Sequence, residues 1–93
     1  MEKNNGSRFR RFLRAMDLPE EVDPHVPKLT MLGGSDLMVE NHTGILQYND
    51  ELVRLMTHEG IIRITGKNLA LTEFGSERVY LRGRITGWMF ERG

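Results

Sequence analysis

The sequence predicts an all-β fold: a curled antiparallel meander of about seven short strands, a roll or partly closed barrel, preceded by a short amphipathic helix. Three observations lead there. From Lys28 onward apolar and polar residues alternate with a period of two. Turn-forming residues recur between the alternating runs: Gly33-Gly34, Thr43-Gly44, Asn49-Asp50, Glu59-Gly60, Gly66-Lys67-Asn68 and Gly75-Ser76. No helical pattern separates the runs, which favours hairpins over parallel strands joined by crossover helices.

The helix comes first in the chain. Phe9, Phe12, Leu13 and Met16 fall at i, i+3, i+4 and i+7, one stripe of a 3.6-residue period. Arg8, Arg10, Arg11 and Arg14 occupy the other side, and Ser7 is in place to cap the first turn. The early arginines oppose the helix dipole, so a helix this short needs a surface to lie on. Leu18-Pro19 ends it, and Pro19, Pro24 and Pro27 make the next stretch an extended connector. The chain therefore divides into residues 1–27, helix and connector, and residues 28–93, the sheet domain.

The pairs Leu37/Val39, Val53/Leu55, Ile62/Ile64, Leu69/Leu71, Val79/Leu81 and Ile85/Met89 place apolar side chains on one face of successive strands. A weak repeat runs through them. Leu37, Val53, Leu69 and Ile85 stand sixteen residues apart, and His42-Thr43-Gly44-Ile45 returns as His58-Glu59-Gly60-Ile61. Such a unit is either one hairpin of a meander or one coil of a small β-solenoid, the alternative architecture.

Ninety-three residues make one domain with a thin core. The absence of cysteine excludes disulfides, thiolate catalysis and cysteine-ligated metal, and points to a cytosolic compartment. The net charge is zero but uneven. Lys3, Arg8, Arg10, Arg11 and Arg14 against Glu2 make the first sixteen residues +4, and Asp17, Glu20, Glu21 and Asp23 make the next seven −4.

Four constellations bear on chemistry. His25, His42 and His58, with Glu40 and Glu59 nearby, lack the tight spacing of a zinc site and sit at predicted turns. The acid pairs Glu20/Glu21 and Asp50/Glu51 lie among prolines and turn residues, where carboxylates are ordinarily solvated, and no serine sits in a nucleophile elbow. Arg78, Tyr80, Arg82, Arg84, Trp88 and Phe90 share the alternate parity of the last strands. Basic residues interleaved with aromatics suit single-stranded nucleic acid. The neutral sheet weakens that reading, and cover for a second apolar layer, or a partner surface formed by Tyr80, Trp88 and Phe90, is preferred. Finally, Phe9, Arg10, Arg11, Phe12, Leu13, Arg14 and Met16 suit either an anionic membrane surface or docking on the sheet. No enzyme, cofactor, metal or small-molecule substrate is expected.

An ordered series of motifs resembles the YabP/YqfC family of sporulation proteins, more closely its YqfC branch. It runs from Leu18-Pro19-Glu20-Glu21-Val22 through Val26-Pro27-Lys28-Leu29-Thr30-Met31-Leu32-Gly33 to Val39-Glu40-Asn41-His42-Thr43-Gly44-Ile45. It continues in Gly60-Ile61-Ile62-Arg63-Ile64-Thr65-Gly66-Lys67-Asn68-Leu69 and ends in Leu81-Arg82-Gly83-Arg84-Ile85. The resemblance implies a non-enzymatic protein made in the mother cell of an endospore-forming bacterium and associated with building the spore envelope. It marks Glu40, Asn41, His42, Gly44, Gly60 and Gly66 as motif residues, read here as structural. The open edges of such a sheet and its aromatic patch make the protein itself or another sporulation protein the expected partner, with peripheral contact at the forespore membrane as a further expectation.

Overall fold

The computed structural model describes residues 23–92. They form six strands: β1 Lys28–Leu32, β2 Asp36–Glu40, β3 His42–Tyr48, β4 Leu52–Thr57, β5 Gly60–Phe74 and β6 Arg78–Glu91. All pairings are antiparallel, in one open sheet of order β1-β2-β6-β5-β4-β3. The all-β antiparallel fold holds; β3 to β6 run as a meander, whereas β2 pairs with β6 rather than with β3. The solenoid does not hold, because its coils would stack parallel strands. The expected helix over Phe9 to Met16 lies outside the described residues.

Six strands stand where about seven were expected because a predicted turn is absent. Gly66-Lys67-Asn68 lies inside β5, and Gly83 inside β6. Thr43-Gly44, expected as a turn, lies inside β3, and the turn falls at Asn41 instead. The long strands β5 and β6 form one hairpin that bends where its glycines meet. A Cβ on Gly83, whose φ is 139°, would lie 2.5 Å from the Asn68 carbonyl oxygen. A Cβ on Gly66 would overlap the Arg84 carbonyl oxygen. The corner thus needs glycine on both strands, on one for its dihedral and on both for the close approach.

The bend gives the sheet two halves. Residues 78–82 of β6 carry β2, and β1 beyond it; residues 60–65 of β5 carry β4, and β3 beyond it. β2 and β4 are not sheet neighbours, yet Leu37 and Val39 share a core with Val53, Leu55, Ile62, Ile64, Leu69, Val79 and Leu81. The halves therefore fold face to face over that core. Each such side chain, fully buried, stabilises by about 1.5–3 kcal/mol before the entropy cost of ordering it.

Two bulges keep the core face apolar through the corner. Ile85 and Gly87 oppose Gly66 and Thr65, leaving Thr86 as an extra residue on β6; Lys67 and Ala70 oppose Arg84 and Arg82, leaving one extra on β5, beside Asn68 at φ 55°. Each bulge reverses the parity of the strand after it. On β5 the core residues are therefore Ile62 and Ile64 before the corner and Leu69 and Leu71 after it. On β6 they are Val79, Leu81 and Ile85, then Phe90. Met89, expected beside Ile85, turns outward opposite Arg63.

On the opposite face of the β2 half, Met38 and Tyr80 are fully buried with Phe74 against them, and the Tyr80 hydroxyl donates to the Asp36 carboxylate at 3.2 Å. Across the other open side, the Tyr48 hydroxyl on β3 accepts the Leu71 N–H of β5 at 3.1 Å. That single bond links the edge of one half to the edge of the other.

Candidate functional site

The Glu40-Asn41-His42 motif is a corner. Asn41 alone joins β2 to β3, in the left-handed region at φ 70°. Asparagine tolerates that region because its short amide can bond nearby backbone. Its N–H donates to the Glu77 carbonyl at 2.8 Å. Its side-chain amide donates to the carbonyls of Val26 at 2.9 Å and Asp23 at 3.3 Å. One residue thus ties the strand corner to the β5–β6 turn and to the segment entering β1. Gly60 carries φ 137°, and a Cβ there would meet the Glu91 carbonyl oxygen at 3.0 Å. Gly66 has no positive φ, so its need is the close approach at the bend rather than a turn dihedral. At Gly44 a Cβ would make only ordinary contact with Met56, and no packing demand explains it.

The histidines gather at this end of the molecule. His42 is 5% exposed, at the end of the core opposite Thr57, and its Nδ1 makes no hydrogen bond. His42 and His58 line one open cleft of about 340 Å³ with Pro24, Asn41, Thr43, Ser76 and Glu77. The His25 ring stands edge-on to His58 at 4.9 Å between centroids and also contacts the Asp23 carboxylate at 3.3 Å. The His25 backbone N–H and ring hold Asp23 below the usual carboxylate range. Glu40 lines a different depression, with Phe74 and Arg78. Of the sequence candidates, His42 and His58 therefore share a cleft, whereas Glu40 does not line it. Among the described residues no three histidines or carboxylates stand where they could hold a metal ion.

Among the described residues the carboxylates do not converge either; Glu20 and Glu21 lie outside them. Glu51 pairs with Lys67 at 3.4 Å, and Glu91 accepts Arg54 at 2.8 Å with Arg63 at 3.8 Å. The Arg54 guanidinium holds Glu91 below its ordinary range, with Arg63 adding to the pull. Asp36, buried against Tyr80, was missed in the sequence because it reads as the tail of the Gly33-Gly34-Ser35 turn.

The aromatic surface is also redistributed. Tyr80 is buried with Met38, whereas Phe90 lies opposite Ile62 and Trp88 opposite Ile64, on the core side. The Thr86 bulge reverses the parity between them, so Tyr80, Trp88 and Phe90 do not form one patch. The same reversal breaks up the single basic and aromatic face that suggested nucleic-acid binding. Trp88 and Phe90 remain together, their rings 6.0 Å apart and edge to face. Trp88 is 47% exposed and Met89 52%, and both line a shallow groove with Arg63, Thr65 and Gly87.

This groove borders a bare strand edge. The N–H groups of Gly83 and Ile85 donate to Ser35 and Gly34 in the turn before β2. Beyond Ile85, among the described residues, no strand pairs with the side of β6 facing away from β5. Residues 86–91 therefore present unpaired backbone groups beside Trp88. No helix among the described residues is long and apolar enough to cross a membrane.

Comparison with known proteins agrees with the motif series. The model of the YabP family matches residues 24–93. The chain is also 36% identical over 72 residues to YqfC of Bacillus subtilis strain 168, a protein whose own role is uncharacterised; the match covers 77% of each chain. No solved structure matches.

Proposed function

The chain belongs to the YabP/YqfC family, and from that premise we propose that it is a non-enzymatic sporulation protein, acting in the mother cell to build the spore envelope by assembling with itself or with another spore-morphogenesis protein. The observation that carries the assembly reading is the bare edge of β6 beside the exposed Trp88 and Met89. A pairable edge flanked by apolar surface is the physical basis of β-sheet association.

The test has two parts. Affinity capture of the tagged protein from sporulating cells, for the wild type and Trp88→Glu, should recover a sporulation protein with the wild type and lose it with the variant. Spores of a deletion strain should show an envelope defect. Equal capture by both proteins together with normal spores in the deletion strain would refute the proposal.

A further inference from the structure

We propose that residues 86–91 of β6 take an additional antiparallel strand from a partner, and that this strand is extended, partly apolar and acidic at its ends. The inference rests on the assembly reading above and specifies the partner's chemistry.

The backbone supplies the first requirement. Among the described residues, the edge from Thr86 to Glu91 has no pairing strand on its outer side, and it is long enough for a short added strand. Proline, which blunts an edge by removing a donor, does not occur in it. The opposite outer strand, β3, is less open to addition. It carries two register shifts, and its Tyr48 hydroxyl is bonded to Leu71.

The side chains supply the second. Trp88 and Phe90 stand on the core side of the edge, stacked edge to face, so an incoming apolar residue there would cover them. Charge supplies the third. Arg84 and Arg92 flank the two ends of the free edge, both exposed, and the Arg92 guanidinium lies 5.7 Å from the Phe90 ring centre. Arg63 stands opposite Met89 on the neighbouring strand. The one acid in the strip, Glu91, is already engaged by Arg54 and Arg63. Arg54, Arg63, Arg84 and Arg92 against Glu91 leave the strip at +3 on a chain whose net charge is zero.

The same charges argue against a second copy at this edge. A second copy would bring its own Arg84 and Arg92 into this basic strip, setting like charge against like. An acidic partner strand complements the strip instead.

Trp88 is the chain's single tryptophan, so its fluorescence reads the edge directly. The full chain would be titrated with three synthetic peptides of alternating valine and threonine. The first is flanked by glutamates, the second by lysines, and the third matches the first but is N-methylated at alternate backbone amides. The glutamate peptide should blue-shift and saturate the emission, and bind about tenfold or more tighter than the lysine peptide. N-methylation should abolish binding, and the Arg84→Glu/Arg92→Glu protein should prefer the lysine peptide. Equal binding of the glutamate and lysine peptides, or undiminished binding of the N-methylated one, overturns the inference. So does a failure of any peptide to shift the emission at millimolar concentration. A concentration-dependent shift without peptide, which peptide cannot reverse, would assign the edge to a second copy instead. The captured partner and the deletion phenotype are separate readouts, so failure here leaves the assembly reading to its own test.

Discussion

At the scale of single residues, Asn41 and the glycines carry the most specific demands. Asn41 combines a left-handed backbone with two side-chain bonds. Asn41→Ala loses both features and should cost about 2 kcal/mol, the sum of left-handed strain and a net hydrogen-bond loss of about 1 kcal/mol each. Asn41→Gly keeps the dihedral and should cost about 1 kcal/mol. Urea denaturation of the two variants separates the contributions, and equal losses would mean the dihedral is irrelevant. Gly66→Ala drives a methyl into the Arg84 carbonyl and should cost about 3 kcal/mol or more, a buried clash that the bend can relieve only by opening. Gly60→Val should likewise lower the melting temperature far more than Gly93→Val, because valine does not adopt φ 137°. Comparable melting of the Gly60, Gly66 and Gly93 variants would contradict this account.

At the scale of elements, the contacts between strands set the predictions. Glu91 links β6 to Arg54 of β4 and Arg63 of β5, and its carboxyl is held below the ordinary value of 4.5. A depressed folded-state pKa contributes stability above the unfolded value that is lost as pH falls through the folded one. The wild type should therefore exceed Glu91→Gln in urea midpoint by a constant margin above about pH 5, and that margin should shrink as the pH drops below 4.5. A margin independent of pH down to pH 2 would show that the pair does not act through charge. Tyr48→Phe removes the acceptor for the Leu71 N–H. Hydrogen exchange should show the Leu71 amide losing protection while the buried β4–β5 ladder keeps its own, with a stability cost of about 1 kcal/mol or less. The arginine-rich segment expected as a helix is tested by flotation with anionic vesicles. If it engages a membrane, binding should fall as salt rises, by about 1 kcal/mol for each of Arg10, Arg11 and Arg14 replaced. If it docks on the sheet, Phe12→Glu should destabilise the fold while Arg11→Glu is nearly neutral.

At the scale of the whole molecule, the open sheet is the feature that matters. Among the described residues, a six-stranded sheet bent over a thin core leaves its two outer strands, the free half of β6 and the part of β5 beyond the corner without a neighbouring strand on one side. Closure into a barrel would remove these edges, but the sheet does not close. These edges are what the proposed association would use. Light scattering on the wild type should report either a concentration-dependent assembly that Trp88→Glu weakens, or a monomer that gains mass only with its partner. A wild type that stays monomeric in both settings would remove the edge as an interface.

Much of this was legible in the chain. Alternation from Lys28 onward and closely spaced turn residues were enough for an antiparallel all-β fold, because a two-residue period buries one face of a strand wherever the strand pairs. The core pairs from Leu37/Val39 to Val79/Leu81 were legible for the same reason. The motif around Asn41 was readable as a turn because asparagine tolerates the left-handed backbone and its amide can bond nearby backbone. The bulges at Thr86 and near Asn68 were not readable. Nothing local distinguishes a glycine that ends a strand from one that lets two strands cross closely; Gly66 and Gly83 acquire that role only when Arg84 and Asn68 face them across the hairpin. From that one long-range fact follow the merging of predicted short strands into β5 and β6, the separation of Tyr80 from Trp88 and Phe90, and the edge of β6 left without a neighbouring strand among the described residues.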